Sequence, residues 1–506
     1  MLDTFFSSLL GIFEPATLIT MLIGIAIGFV VGILPGLGGS VSLALMLPFT
    51  FYMEPVQAFA FLLGMLATSA TTGDVTSVLL GVPGEATSAA TVLDGYPMTK
   101  RGEAGRALGG ALVGSALAGV IGAFLLALAV PIMRPLVLAL GPPEFFMLTL
   151  VGLAFVIALS GRDVVKGLIM AIFGFMVSMV GLDAQAGIPR FAGDNLHFWD
   201  GISLVALVVG LFGGAELLQL MLSKAAIANK VSADPYAGLG QGIRETFVYW
   251  RVVIRSSLIG VGVGVIPGLG GSVSQFLAYG SAQQASKHPE LFGKGSMEGV
   301  IAAGSNNNAK DSGSLIPTIA FGIPGSVSMA VLLGAFIIAG IQPGPEMLTT
   351  NLDITFSMVW ITVISNIIAV VIALLLLKQL VKLTFVKGTW LVPFLLILLS
   401  IGAFTASNAW EDVVVMLVAA AIGVICIHWD WPRVPFLLAV VLGGIAERYL
   451  FLSYSLDGWS WLAEPVIMVM AAVVLLVLFL PYVRQARKRR AAARSASAAE
   501  KTGAAR

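Results

Sequence analysis

The residues best suited to chemistry lie in two polar patches inside otherwise apolar sequence. Asp74, Lys310 and Asp311 are ionisable residues between apolar stretches, where a charge is costly unless it is paired, hydrated or functional. Neutral polar residues surround them: Thr71, Thr72, Thr76, Ser77, Asn306, Asn307 and Asn308. An amide side chain can donate to an anion or offer its carbonyl oxygen to a cation. The patches predict a binding site, with a structural ion pair, or a location at the aqueous end of a loop, as the alternatives.

We assign these side chains to two tasks. Substrate binding is assigned to Asn306, Asn307, Asn308 and Lys310, and ion coupling to Thr71, Thr72, Asp74, Thr76 and Asp311. A ligand-facing Lys310 would favour an anion with more than one carboxylate. A Lys310 paired with Asp74 or Asp311 would be structural instead, and the sequence leaves this choice open.

One short sequence occurs twice, in residues 32–42 and again in residues 264–274. Both copies contain Pro-Gly-Leu-Gly-Gly-Ser within a long apolar run. Proline removes a backbone donor and glycine permits non-helical dihedral angles, so each copy is expected to interrupt a helix. Unwound backbone at membrane depth is tolerated only where protein or a water-filled cavity satisfies it. A packing kink would explain one copy, whereas the duplication favours a binding site.

The half-helix that follows each interruption begins with unpaired amide groups at the positive end of its dipole. The natural ligand is an anion, especially a carboxylate, and serine capping of the helix is the alternative for each hydroxyl. The candidate residues are Gly36, Gly38, Gly39, Ser40 and Ser42 in the first copy, and Gly268, Gly270, Gly271, Ser272 and Ser274 in the second. Repeat symmetry predicts that Asp74 and Lys310 reach the same cavity.

Composition places these elements in a membrane. The chain is 58% hydrophobic and 11% charged, whereas a soluble domain is about 45–50% apolar and 25% charged. Period-two alternation is absent, so the spans are predicted to be helices in a lipid bilayer. The fold class is an all-α polytopic membrane protein. The net charge of +1 gives no indication of a nucleic-acid partner, and no cofactor is predicted.

Loop charges predict the topology. The start of the chain is acidic and residues 484–490 are strongly basic, which places the N-terminus outside and the C-terminus in the cytoplasm. The duplication covers about residues 18–222 and 255–450, with the two copies in opposite orientation. Inverted repeats with paired helix breaks are typical of secondary transporters. The predicted regions are a core with broken helices (1–106), scaffold helices (107–222), a cytoplasmic linker (223–250), a second core (251–350), further scaffold helices (351–482) and a basic tail (483–506).

Several motifs, in order along nearly the whole chain, closely resemble a known family. They are Gly-Ile-Leu-Pro-Gly-Leu-Gly at 32–38, Asp-Gly-Tyr-Pro-Met at 94–98, Ser-Lys-His-Pro-Glu at 286–290, Gly-Ile-Pro-Gly-Ser at 322–326 and Gln-Pro-Gly-Pro at 342–345. The chain resembles the TctA-type large membrane subunit of tripartite tricarboxylate transporters. The resemblance implies a bacterial inner-membrane carrier for tricarboxylates or dicarboxylates, with its N-terminus in the periplasm. It also implies coupling to sodium or protons, a small membrane subunit and a periplasmic solute-binding protein as partners.

The chain departs from the family pattern at both polar patches. Thr-Thr-Gly-Asp stands at 71–74 in place of Tyr-Gly-Gly-Ser, and Gly304 replaces a family acid. These departures leave the substrate and the coupling ion open, and the ligands of a sodium ion are not identified. A passive anion channel is the second hypothesis. A membrane enzyme is the third, although we find no motif of the metalloprotease, serine hydrolase or phosphate-loop type.

Overall fold

The computed structural model describes residues 1–33, 38–159, 163–183, 187–222, 234–269, 271–383 and 388–479. The first half forms α1 (Leu2–Ile12), α2 (Pro15–Gly32), α3 (Gly39–Met46), α4 (Pro55–Leu80), α5 (Thr91–Lys100), α6 (Ala104–Leu138), α7 (Pro142–Leu159), α8 (Val164–Ser178), α9 (Leu204–Val208) and α10 (Ala215–Leu222). A π-helical segment, Val209–Gly214, joins α9 to α10. Two-residue strands β1 (Gly181–Leu182) and β2 (Pro189–Arg190) pair antiparallel in a loop.

The second half forms α11 (Leu239–Val248), α12 (Trp250–Gly264), α13 (Gly271–Ala285), α14 (Met297–Phe321), α15 (Val327–Ile338), α16 (Leu352–Leu375), α17 (Leu377–Leu383), α18 (Gly388–Ser407), α19 (Trp410–His428), α20 (Arg433–Asp457) and α21 (Pro465–Phe479). Short 3₁₀ segments lie at Leu47–Tyr52, Ala86–Ser88, Leu196–Asp200, Pro289–Leu291, Pro345–Leu348 and Ser460–Ala463. Helix α11 falls inside the predicted linker, of which residues 223–233 lie outside the described residues.

Many of these helices are long enough to span a bilayer. Within the described ranges, eight helices are long and apolar enough to cross, and the pair α11 and α12, bent by 76°, would add a ninth if it forms one span. Almost no strand is found in the same ranges. The prediction of an all-α polytopic membrane protein is therefore confirmed.

Both copies of the repeated sequence interrupt a helix, as predicted. Helix α2 ends at Gly32 and α3 begins at Gly39, while α12 ends at Gly264 and α13 begins at Gly271. The sequence predicted that the new helices begin at Val41 and Val273, and each begins two residues earlier. Residues 34–37 and Gly270 lie outside the described residues.

The polar patches, in contrast, lie within unbroken helices. Helix α4 runs through Asp74 and α14 runs through Lys310, and each ends at a left-handed glycine, Gly81 (φ 67°) and Gly322 (φ 68°). Such backbone strongly favours glycine because a side chain would clash. The next break therefore falls after each patch and not within it.

The same close approach follows both left-handed glycines. A Cβ on Gly84 would lie 3.1 Å from the carbonyl oxygen of Gly32, and one on Gly325 would lie 2.6 Å from that of Gly264. Each returning loop thus packs directly on the end of the preceding broken helix. This recurrence supports the duplication, and the opposite orientation of the two copies stays a prediction.

The two halves are interlocked. Helix α14 of the second half packs against α6 of the first half as well as against α12. Asp94 of α5 accepts hydrogen bonds from the backbone amides of Gly295 (2.7 Å) and Ser296 (2.8 Å) and from the Tyr279 hydroxyl (2.8 Å). A carboxylate at the start of a helix stabilises its unpaired amides. Asp94, the first residue of the Asp-Gly-Tyr-Pro motif, therefore stabilises the start of α14.

Candidate functional site

A large cavity, of about 400 Å³, lies where the broken helices of the two halves meet. Its wall includes the N-terminal ends of three helices: Gly38 and Ser40 at α3, Gly271 at α13, and Ser326 at α15. Amide groups at these ends lack intrahelical partners and carry partial positive charge. The two interrupted segments are therefore brought together, and their helix ends favour an anion.

The cavity also contains charged side chains of both signs. Lys310 of α14 lines it together with Glu85, which follows α4, and Glu216 of α10. Glu216 is paired with Arg433 at 2.6 Å between carboxylate oxygen and guanidinium nitrogen. The cavity wall thus carries both positively and negatively charged side chains and is not a simple basic pocket.

Glu85 was missed by the sequence analysis. Its carboxylate accepts a hydrogen bond of 2.9 Å from the backbone amide of Gly39, at the start of α3, and another from the Thr87 hydroxyl. The protein itself thus places a carboxylate where the sequence predicted an external one. The available signal was an acidic residue directly after the Val-Pro-Gly break.

Lys310 pairs with its neighbour along the chain. Its Nζ lies 2.6 Å from Oδ1 of Asp311, and both residues are more than 90% buried. Asp74 instead accepts a hydrogen bond from the Thr91 hydroxyl at 2.7 Å and contacts the Asn307 amide at 3.5 Å. Lys310 lines the large cavity, whereas Asp74 does not. The large cavity thus contains Lys310 but not Asp74, and a cavity shared by the two residues stays a prediction.

The three asparagines bind protein groups with their amide nitrogens. Asn306 donates to the carbonyl oxygen of Ser256 (3.1 Å), and Asn307 donates to that of Ala70 (2.8 Å). Asn308 donates to the hydroxyls of Ser115 (2.9 Å) and Thr71 (3.1 Å) and to the Asn366 carbonyl oxygen. None of the three lines the large cavity. Of the residues assigned to substrate in this patch, only Lys310 reaches it.

The remaining candidate residues either line the large cavity or lie at packed helix surfaces. Ser42 donates to the Gly38 carbonyl (3.2 Å), while Thr71, Thr72 and Thr76 donate to backbone carbonyls of their own helix at 2.8–3.0 Å. Such bonds satisfy a buried hydroxyl locally. Ser274 is fully buried, and its hydroxyl has no hydrogen-bond partner among the residues that the structure describes. Gly36, Gly270 and the side chain of Ser272 fall outside what the structure describes.

Gly268 adopts a left-handed conformation (φ 84°), and a Cβ on it would lie 2.7 Å from Cα of Val156. It packs against α7 and does not line the large cavity. Its requirement for glycine is thus explained by its left-handed backbone together with its packing against α7.

Two glutamates that follow similar motifs, Gly-Gly-Ala at 213–215 and Gly-Gly-Ile-Ala at 443–446, form related ion pairs. Glu216 pairs with Arg433 at the start of α20, and Glu447 of α20 pairs with Arg190 of β2 at 2.6 Å. Each pair joins segments from different halves of the chain. The pairs therefore connect α20 of the second half to α10 and to β2 of the first half.

Comparison with known proteins gives one family and two relatives. The family model described as the tripartite tricarboxylate transporter TctA family matches residues 18–438. An "uncharacterized 52.8 kDa protein in TAR-I ttuC' 3'region" of Agrobacterium vitis is 32% identical over 479 residues, covering 94% of this chain and 95% of the relative. An "uncharacterized protein in TAR-II ttuC' 3'region" of the same organism is 35% identical over 188 residues, covering 37% of this chain and 78% of the relative. No solved structure matches.

Proposed function

Because the chain belongs to the tripartite tricarboxylate transporter TctA family, we propose that it carries a small carboxylate anion across the bacterial inner membrane. The substrate is a dicarboxylate or tricarboxylate. The observation that carries the proposal is the 400 Å³ cavity, where three helix N-terminal ends and Lys310 surround one space. Helix ends of this kind bind carboxylates through backbone amides, as expected at a paired helix break.

More than one positive group supports a substrate with more than one carboxylate. The ends of α3 and α13 come from different halves, and Lys310, which Asp311 holds in an ion pair, lines the same cavity with its ammonium group. A lysine ammonium acts as a point charge and places few demands on geometry. One carboxylate is proposed to bind at a helix end and a second near Lys310.

Glu85 sets a condition on binding. Its carboxylate already occupies the amide of Gly39, so a substrate carboxylate at α3 must displace it. Binding is therefore proposed to be linked to movement of the loop that follows α4. The position of this loop then differs between the empty and the substrate-bound cavity.

The transport cycle is proposed to need partners and an ion gradient. The tripartite family supports a small membrane subunit and a periplasmic solute-binding protein that delivers the substrate. Uptake is proposed to be driven by sodium or protons, with the broken-helix regions moving in an elevator-like manner against the scaffold helices. The N-terminus is proposed to be periplasmic and the C-terminus cytoplasmic.

The test is uptake into proteoliposomes that contain the chain with its two partner proteins. We expect saturable uptake of dicarboxylates or tricarboxylates that requires the binding protein and an inward cation gradient. Monocarboxylates of similar size are expected to compete weakly. Lys310→Met should raise the half-saturating substrate concentration at least tenfold, whereas the exposed Lys294→Met should leave it unchanged. Non-saturable flux that needs no partner would indicate a channel and overturn the proposal.

A further inference from the structure

A second, much smaller cavity lies on the other side of Asp311. It has about 10 Å³ of space for the centre of a water-sized occupant, which is enough for one such particle. Its polar wall comes from Asn308, Asp311 and Ser312 of α14 and from Thr362 and Asn366 of α16. The cavity therefore joins the polar patch of a core helix to a helix of the predicted scaffold.

Three oxygens on this wall have no hydrogen-bond partner within the described part of the chain. They are Oδ1 of Asn308, Oδ2 of Asp311 and Oγ of Ser312, and their residues are 2%, 7% and 0% exposed. A buried polar atom without a partner is costly, so three beside one cavity indicate a missing occupant. Carboxylate, amide and hydroxyl oxygens are ligands that hard cations prefer.

The charges favour a monovalent ion. Among the described residues that line this cavity, Asp311 is the single carboxylate, and its other oxygen, Oδ1, holds Lys310 at 2.6 Å. A calcium ion takes six to eight oxygen ligands and a magnesium ion keeps several waters, which a one-particle cavity does not accommodate. A monovalent ion requires neither further carboxylates nor bound waters.

We propose that the small cavity binds a sodium ion, and that the ion and Lys310 compete for the Asp311 carboxylate. Lys310 lines the large cavity while Asp311 lines the small one, so this neighbouring pair separates the two sites. A sodium ion at Oδ2 draws charge from the carboxylate and weakens its hold on the ammonium. Lys310 then turns toward the large cavity, where it attracts a carboxylate.

This arrangement couples the two ligands. Asp311 and Lys310 together are neutral, so sodium adds a net positive charge that a substrate carboxylate compensates. By linkage, each ligand then raises the affinity of the other by the same factor. The inference rests on the proposed function only for the identity of the anion.

Sodium binding is tested on the purified chain without substrate. Thermal unfolding is followed as sodium chloride replaces choline chloride at constant ionic strength, with potassium as the comparison ion. We expect a saturable rise in Tm with sodium that potassium does not reproduce. Ser312→Ala should raise the half-saturating sodium concentration at least tenfold. Ser305→Ala is the matched control, because Ser305 is on the same helix, is equally buried and unpartnered, and lies outside the cavity.

Lys310→Met tests the competition. It removes the competing ammonium, so the half-saturating sodium concentration should fall severalfold, and sodium should no longer raise the affinity for carboxylate. No sodium-specific rise in Tm, or equal effects of Ser312→Ala and Ser305→Ala, would overturn the inference. A sodium effect without carboxylate transport would instead overturn the proposed function alone. Transport without a sodium effect would overturn the sodium site and leave the proposed function standing.

Discussion

Glu85 Oε2 accepts a hydrogen bond of 2.9 Å from the backbone amide of Gly39. The contact joins the loop after α4 to the first residue of α3, across one of the two helix breaks. A carboxylate in this position is stabilised by the helix dipole as well as by the hydrogen bond. The α3 end is thus already engaged by an anion that belongs to the chain.

Replacing this anion should strengthen substrate binding. Glu85→Gln keeps an oxygen that can accept from Gly39 but removes a negative charge from the cavity wall. We expect the half-saturating concentration of an anionic substrate to fall severalfold in the uptake assay. Glu54→Gln is the control, since Glu54 is exposed at the start of α4 and forms no capping bond there. A weaker affinity in Glu85→Gln would mean that the carboxylate assists binding.

Two glycines of α12 are predicted to respond differently to alanine. A Cβ on Gly264 would overlap the Lys310 carbonyl oxygen and lie 2.9 Å from the Ser314 amide nitrogen, whereas one on Gly262 would meet nothing within 4 Å. Backbone atoms yield little, so Gly264→Ala should cost about 1–3 kcal/mol of unfolding free energy. Gly262→Ala should be neutral or stabilising by up to about 1 kcal/mol. Thermal unfolding in detergent measures both, and equal Tm values would contradict the packing of α12 on α14.

The sequence predicted features that depend on the local residue pattern. The helix breaks at the two repeated sequences follow from proline and glycine in apolar runs, and the membrane class follows from composition. The sequence left two alternatives, Asp74 and Asp311, for the ion-pair partner of Lys310. That choice depends on how α4, α5 and α14 pack, because Thr91 of α5 takes a hydrogen-bonding position on Asp74.

Long-range packing also explains what the sequence missed. Glu85 reaches Gly39, which lies 46 positions earlier, and nothing local to Glu85 specifies that contact. Asn306 looked suited to a ligand, yet its amide donates to the Ser256 carbonyl of α12. A polar residue in an apolar run thus identifies a buried patch, whereas the helices packed around it decide which cavity it lines.

The ion pair between Arg433 and Glu216 is expected to stabilise the contact between α20 and α10. The two side chains are 17% and 24% exposed and lie 2.6 Å apart, so solvent screens the pair only in part. Arg433→Met should lower the free energy of unfolding by about 1–2 kcal/mol. Combining it with Glu216→Gln should cost less than the sum of the single changes.

Glu447→Gln is the control for this double-mutant comparison, because Glu447 pairs with Arg190 and not with Arg433. Its effect should add to that of Arg433→Met within error. Additive effects for Arg433→Met with Glu216→Gln as well would show that their contact contributes nothing measurable.

The final prediction concerns the orientation of the two halves. Because the N-terminus is acidic and the loop at residues 183–200 is rich in aspartate, we predict that both face the periplasm. The basic residues at the C-terminus predict that this terminus lies in the cytoplasm. In a background with Cys426→Ser, single cysteines at Asp3 and Asp194 should react with a membrane-impermeant maleimide in intact cells. A cysteine at Arg489 should react only after the membrane is opened. Cys426 is 4% exposed, so its removal should leave the surface unchanged. Labelling of positions 194 and 489 from the same side would exclude the predicted topology. It would also remove the basis for inverted repeats, because the opposite orientation of the two halves was inferred from these loop charges.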